Sequence, residues 1–366
     1  GWDFDFRGHK LHGDWQAALG VTVRVQHLAW VSMKGEAKRD YPASINYQSP
    51  WWQDYAYVED HFARLNTALT RGKPVVRVGV IHPVESYWLH WGPAEQTDGI
   101  RRQMDERFQS LTDWLVNGGV DFDFLCESLL PSQCLQGGAP LRVGEMAYDA
   151  VVVPGCETLR STTLERLEAF QRAGGRLIFL GDAPRYAEAK PDERGKRLYE
   201  QSRHTEFSRE ALLDALEPVR LIDIRDENGV RTDNLLHQLR QDGDGLWLFL
   251  AHSREPYNND VPTRQNIRLT VKGAYHARIY DTLTGDILPA NAEIQGDKTI
   301  IRATLYDHDS LLLRLDHEPA LPRTETEGSA ASRPVNVPSL VHYVLDEPNA
   351  LLLDKAEYAL DEGEYR

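Results

Sequence analysis

The sequence predicts an α/β chain in three parts: a βα end-unit, a doubly wound parallel sheet, and a small antiparallel β domain. Three observations lead there. Between residues 73 and 218, short apolar runs alternate with helical patterns at the spacing of a parallel sheet with right-handed crossovers. From about Val219 the apolar period falls to two, with turn residues between the runs. Ahead of both, an apolar run ending in His27-Leu28-Ala29-Trp30 empties into a long loop rich in His, Trp, charged residues and Tyr. In parallel α/β architectures such a loop lies at the carboxyl end of a strand, where ligand sites collect.

Taken in order, Gly1–His12 reads as an aromatic-rich loop, and Asp14–Leu19 as a short helix punctuated by Gly13 and Gly20. Val21-Thr22-Val23-Arg24-Val25 alternates and is β-branched, which predicts a strand. The loop from Ala29 to Ser49, about 20 residues, exceeds ordinary connections, and loops of that length carry function or disorder. Ser49-Pro50 opens a helix whose apolar stripe is Trp51, Tyr55, Val58, Phe62, Leu65 and Leu69. Arg71-Gly72-Lys73-Pro74 ends it and marks a domain boundary, so the first domain is 1–72.

The second domain, 73–218, begins with the strand Val75–Ile81. An amphipathic helix through Ile100, Met104, Phe108, Leu111 and Leu115 stops at Gly118-Gly119. Phe122–Cys126, Ala150–Val153 and Arg176–Gly181 are further strands, and Thr162-Thr163-Leu164-Glu165 offers a capping box for the helix that ends at Gly174-Gly175. The third domain, 219–317, holds Trp247–Leu250 and the alternating runs ending at Val271, Leu305 and Leu315. Residues 318–340 read as a linker rich in Pro, Ser, Thr and Glu, and 341–366 as the start of a further β-sandwich. Both ends of the chain read as cut, which predicts an internal fragment of a longer protein.

The totals narrow the classes. With 366 residues, 41% of them hydrophobic, the chain can build two or three cores at roughly 100–200 residues per domain. A formal charge of −15 argues against nucleic-acid and membrane-surface partners, which select for basic patches. Three cysteines without CxxC spacing form neither a disulfide framework nor a zinc site and favour a cytoplasmic location. No metal site and no cofactor is expected.

Two residue runs carry a resemblance. His27-Leu28-Ala29-Trp30 with Gly35-Glu36-Ala37-Lys38-Arg39-Asp40-Tyr41-Pro42, and Tyr47-Gln48-Ser49-Pro50-Trp51-Trp52, resemble the last βα segment of the (β/α)8 barrel in α-L-rhamnosidase-like glycoside hydrolases, the family-106 group. The order of barrel, flavodoxin-like domain and small β domain is also similar to the β-galactosidases of family 42, where the middle domain mediates trimerisation. The resemblance implies that 1–72 is the C-terminal piece of a TIM barrel and that 73–218 is flavodoxin-like and holds copies of the protein together. It also implies a carbohydrate substrate, with α-L-rhamnosides favoured over β-galactosides. Glycosidases use two carboxyl groups across the scissile bond, and at most one of that pair belongs to this segment.

Glu36 is the candidate catalytic carboxylate: it follows Gly35 in the loop at the top of the barrel, beside Lys38 and Arg39, whose charges favour its ionised form. A salt-bridged loop glutamate is the alternative. His27, Trp30, Trp52, His9 and Lys10 are candidate substrate-binding residues, the tryptophans because indole faces stack on pyranose rings. Trp51 falls on the helix stripe and is assigned to the core, and Asp14 is assigned as a helix cap. In the second domain His82, Glu85, Tyr87, Trp88, His90 and Trp91 follow the first strand. Without a Gly-x-Gly-x-x-Gly loop a nucleotide is not expected there, and the loop is expected to pack on the barrel mouth or a neighbouring subunit. Tyr306-Asp307-His308-Asp309 is read as a hairpin turn.

Two rival readings remain. One is a non-catalytic scaffold. The other is a glutamine amidotransferase-like enzyme using Cys156, which follows a strand in Val153-Pro154-Gly155-Cys156-Glu157. Thr158 stands where a second glycine would be needed, so Cys156 is assigned as a buried small hydrophobe.

Overall fold

The computed structural model describes residues 4–26, 29–39, 45–258 and 261–318. It is a mixed α/β structure with a five-stranded parallel sheet, antiparallel sheets of six and four strands, and two smaller sheets. The expected linker and further β-sandwich lie outside the described residues, apart from Glu318.

Helix α1 (Phe6–Ala18) is longer than the sequence predicts and begins inside the expected loop. Asp5 caps it, its carboxylate accepting from the backbone N–H groups of Arg7 (2.9 Å) and Gly8 (3.2 Å). Gly13 does not end this helix; a Cβ there would meet Phe62 Cζ at 2.2 Å, so the glycine is a close-approach point between α1 and α2 (Ala56–Leu69). Residues 21–25, expected as a strand, pair with no strand among the described residues. The alternation is nevertheless present: Val21, Val23 and Val25 are exposed, while Arg24 turns back so that its guanidinium lies 4.0 Å from the Phe62 ring centre. Trp51, assigned to the helix core, is half-buried before a 3-10 turn, Trp52–Asp54, and meets Phe6 edge-on at 6.5 Å.

The parallel sheet has five strands: β1 (Val78–Ile81), β2 (Phe122–Leu125), β3 (Ala150–Pro154), β4 (Arg176–Leu180) and β5 (Arg203–Thr205). Their spatial order is β5-β4-β3-β1-β2, so the strand order reverses between β1 and β3. Helices cover both faces. Leu111 and Leu115 of α4 (Ala94–Asn117) pack with Val78, Val80 and Ile178 on one face. Leu164 and Phe170 of α5 (Ser161–Arg172) pack with Val151 and Phe179 on the other. The short helix α3 (Val84–Trp88) follows β1. The capping box expected at Thr162–Glu165 is not used. The helix opens at Ser161, whose N–H is taken by the Glu188 carboxylate (2.9 Å), while Glu127 accepts from Arg160 N–H (2.7 Å). Carboxylates from distant loops replace the local cap.

The third part is a two-sheet sandwich. One sheet contains β7 (Leu235–Asp242), β8 (Gly245–His252), β10 (His276–Tyr280), β11 (Ile287–Pro289) and β14 (Ser310–Asp316). The other contains β6 (Ile222–Asp226), β9 (Arg264–Lys272), β12 (Ala292–Gln295) and β13 (Lys298–Tyr306). Lys73-Pro74, read as a domain boundary, is instead an edge strand here, pairing with Arg240 and Gln241 of β7. Proline suits an edge because it lacks the N–H an inner strand must donate. Residues 306–309 are not a hairpin turn: β13 and β14 lie in different sheets, so this turn carries the chain across the sandwich.

Strand β8 is buried throughout. Leu246, Leu248 and Leu250 face the opposite sheet, and Trp247, Phe249 and Ala251 face α1 and α2. A central strand covered on both sides must be apolar on both, and the helices read as the end of a barrel are what cover its second face.

Candidate functional site

The structure places the expected site residues in three environments. The first is the loop after Gln26. Its two limbs are tied by side chains: Gln48 Nε2 donates to the Trp30 carbonyl (2.5 Å) and Tyr47 OH to the Val31 carbonyl (2.5 Å). Lys38 Nζ donates to the Ser32 carbonyl (2.6 Å) and stands 5.5 Å from the Trp30 ring centre. Glu36 opens the 3-10 turn Glu36–Arg39 and is exposed. Trp52 is exposed on the turn that leads into α2. Trp30 and Lys38 are thus brought together, with Glu36 on the same 3-10 turn as Lys38. His27 lies outside the described residues.

The second environment is the interface of α1, α2 and the antiparallel sheet, and it holds His9 and Lys10. Both were expected in a loop and both are helical. His9 is buried between Phe4 (ring centres 4.5 Å apart) and Tyr55 (5.2 Å). Lys10 Nζ donates to Asp14 Oδ2 (2.7 Å), the His308 carbonyl (2.9 Å) and Ser310 Oγ (3.0 Å). Asp14 is not a cap; it sits in mid-helix, buried, with its other oxygen 2.7 Å from His61 Nε2. Burial pushes its carboxyl upward, but the Lys10 charge and the His61 hydrogen bond outweigh this and hold it below the usual carboxylate range. His61 Nδ1 in turn lies 2.8 Å from Thr282 Oγ1. This cluster joins the two helices to β14 and to the turn after β10. Sequence reasoning did not single out His61, although its place on the buried stripe of α2, one residue before Phe62, was the available signal.

The third environment is a cleft of about 690 Å3 at the carboxyl ends of β1, β3, β4 and β5, closed on one side by α4. It lies where the strand order reverses, the usual place for a ligand in an open parallel sheet. Its floor includes Phe108 and Phe207, and its rim Asp105, Glu157, Asp182 and Arg185. Glu157 is gripped by His90 Nε2 (2.6 Å) and Arg185 Nη2 (2.5 Å), and despite its partial burial these partners hold its carboxyl low. Ser86 fastens α3 to the segment after the neighbouring strand β3 by accepting from Glu157 N–H (2.9 Å) and Thr158 N–H (3.2 Å). Glu85 binds Arg160 (2.6 Å). Trp88 and Trp91 stay exposed beside the cleft.

Cys156 lines this cleft but is almost fully buried, and burial together with the Glu127 carboxylate pushes its thiol well up. A nucleophilic cysteine needs a thiolate and an electropositive setting; burial and the neighbouring carboxylate oppose both, which argues against the amidotransferase reading. Among the described residues no group of three or more metal-ligating side chains converges, and no helix is long and apolar enough to cross a membrane.

No family model matches the sequence. No curated protein matches it either. Solved structures do match. A rhamnosidase from Novosphingobium sp. PP1Y superposes with a TM-score of 0.62 at 16% identity, over 92% of this chain and 32% of its own. An α-L-fucosidase isoenzyme 2 from Paenibacillus thiaminolyticus gives a TM-score of 0.48 at 10% identity, over 85% of this chain and 58% of its own. A β-galactosidase from Bacillus circulans sp. alkalophilus gives 0.48 at 12% identity, over 77% and 48%. The chain spans about a third of the length of the rhamnosidase. The resemblance carried by the residues and the likeness of the fold therefore meet in one class of protein: the chain is folded like part of a glycoside hydrolase, a rhamnosidase.

Proposed function

We propose that this chain is part of a glycoside hydrolase, with α-L-rhamnosides the favoured substrate and β-galactosides second. The carrying observation is the likeness to the rhamnosidase, which extends over 92% of the chain and so takes in all three parts. In this reading residues 1–72 are the closing βα segment of a catalytic (β/α)8 barrel, 73–218 a flavodoxin-like domain and 219–317 an accessory β domain. The extended, unpaired Val21–Val25 with its alternating exposure supports a barrel strand there. Glu36 supplies one carboxylate of a two-carboxylate mechanism. Trp30 and Trp52 offer indole faces to sugar rings, and His27 a hydrogen bond to a hydroxyl. His9 and Lys10 act from behind, fixing the helix that supports this wall.

The test is hydrolysis of aryl α-L-rhamnosides and aryl β-galactosides by the natural protein and its Glu36→Gln variant. The expected result is cleavage of the rhamnoside, with kcat/KM lowered at least tenfold in the variant, about 1.4 kcal/mol of transition-state stabilisation. A smaller loss returns Glu36 to a structural role. Absence of cleavage of either substrate by the natural protein overturns the glycosidase reading.

A second reading, that the flavodoxin-like domain holds copies of the protein together, is favoured by Trp88, Leu89 and Trp91, large apolar side chains exposed side by side after β1. Light scattering on the natural protein and on Trp88→Ala/Trp91→Ala separates the two outcomes. An oligomer that the double variant dissociates supports this role, and a natural monomer excludes it.

A further inference from the structure

We propose that the cleft at the carboxyl ends of the parallel strands is a second carbohydrate site, taking a neutral saccharide unit and lying on a different domain from Glu36. It rests on the glycoside-hydrolase reading only for the choice of sugar. At about 690 Å3 the cleft falls within the roughly 300–1,000 Å3 of small-molecule sites. The rings of Tyr87, Phe108 and Phe207 are half-buried in its wall, each with surface left to meet a ligand. Around them stand planar groups of both signs, the carboxylates of Asp105, Glu157 and Asp182 and the guanidinium groups of Arg107 and Arg185. A planar carboxylate or guanidinium spans two neighbouring hydroxyls, and a ring face accepts the C–H face of a pyranose. A saccharide presents both surfaces at once.

Rival ligand classes fit less well. Three carboxylates against two guanidinium groups give no excess of positive charge for a phosphate, and Pro83, directly after the β1 turn residue His82, removes a backbone N–H where a phosphate cradle would need one. A purely apolar ligand would strip water from five charged side chains without replacing their hydrogen bonds. Glu157 is already oriented by His90 and Arg185, so one anchoring carboxylate is fixed before a ligand arrives.

The experiment is hydrogen exchange on the natural protein with millimolar L-rhamnose, D-galactose or adenosine monophosphate, followed by the same measurement on Asp182→Ala and Gln103→Ala. Both side chains are exposed on the cleft, so neither change should unfold the domain; thermal melts check this. The expected result is slowed exchange in Ala94–Phe108 and Gly181–Arg185 with a sugar but not with the nucleotide, lost in Asp182→Ala while hydrolysis of the aryl glycoside is unchanged. No protection by either sugar, protection by the nucleotide, or protection indifferent to both variants overturns the proposal. Sugar protection of the cleft in a protein that hydrolyses neither glycoside would leave this site standing and sink the glycosidase reading instead.

Discussion

Asp14 and His61, which are 47 positions apart, share a hydrogen bond of 2.7 Å in the interior, and the Lys10 ammonium holds the same carboxylate from its other side at 2.7 Å. The carboxylate can only accept, so His61 Nε2 carries the proton of that bond. Removing one member of a buried charged pair leaves the other desolvated and unpaired, at a cost of about 3–5 kcal/mol. Lys10→Met is therefore expected to destabilise the protein by about that amount in urea unfolding, and Lys10→Met/Asp14→Leu by less. Because Asp14 is held below its unfolded value, its contribution is present above about pH 3.9 and lost as pH falls through the folded pKa. Asp14→Asn should flatten that acid limb.

Phe249 on β8 is fully buried in the cluster that joins the sheet to α1 and α2. Phe249→Ala should cost about 3–5 kcal/mol. It should also raise hydrogen exchange in α1 and α2 before the rest of the sandwich opens, because those helices lose their main contact surface. Uniform loss of protection across all three parts would refute this local coupling.

Gly72 has φ near +59°, and a Cβ there would stand 1.8 Å from the Gln241 carbonyl oxygen. The obstacle is backbone, so it cannot swing aside. Gly72→Ala should lower stability by more than about 1 kcal/mol, read as a lower melting temperature. An unchanged melting temperature would mean the edge strand at Lys73-Pro74 contributes nothing.

A small cavity between the parallel sheet and the sandwich is lined by two half-buried groups, Asp121 and His237, whose pKa values are shifted in opposite directions. Burial and the neighbouring Asp123 carboxylate push Asp121 up to about 7, so its stabilisation is full at low pH and lost as pH rises from about 4 to 7. Burial, with the Arg220 charge, lowers His237 to about 4, so its stabilisation is full above about 6.5 and lost as pH falls towards 4. The two slopes oppose each other in the natural protein. Asp121→Asn should expose a stability that rises with pH from 4 to 6.5, with a gain of about 1–3 kcal/mol at pH 8. His237→Gln should expose the falling slope. Parallel pH profiles for all three proteins would show that neither group titrates on folding.

Of the three cysteines only Cys126 is exposed. One thiol per chain should react rapidly with a thiol reagent under native conditions, and two more only on unfolding. Rapid native labelling of Cys156 would reopen the amidotransferase reading.

Much of the fold was legible because it is written locally. The short apolar runs at Val78–Ile81, Ala150–Val153 and Arg176–Leu180 favour buried parallel strands, and the alternating runs ending at Leu305 and Leu315 favour half-buried antiparallel ones. The candidate loop was legible as a crowd of reactive side chains. The tie between its two limbs was not, because it depends on Tyr47 and Gln48 reaching back across 16 and 18 residues.

What the sequence by itself determined is the mixed α/β character, with parallel strands such as Val78–Ile81 and Ala150–Pro154 ahead of antiparallel ones such as Lys298–Tyr306 and Ser310–Asp316. Only the tertiary structure decided what faces what. It turned Asp14 from a cap into a buried acid, moved Lys73-Pro74 into the sandwich, made residues 306–309 a crossing between sheets, and set Glu157, Arg185 and Phe207 around one cleft. Periodicity reports which face of an element is apolar, a property of neighbours along the chain. The partner of that face is fixed by residues tens or hundreds of positions away, at distances no local pattern encodes.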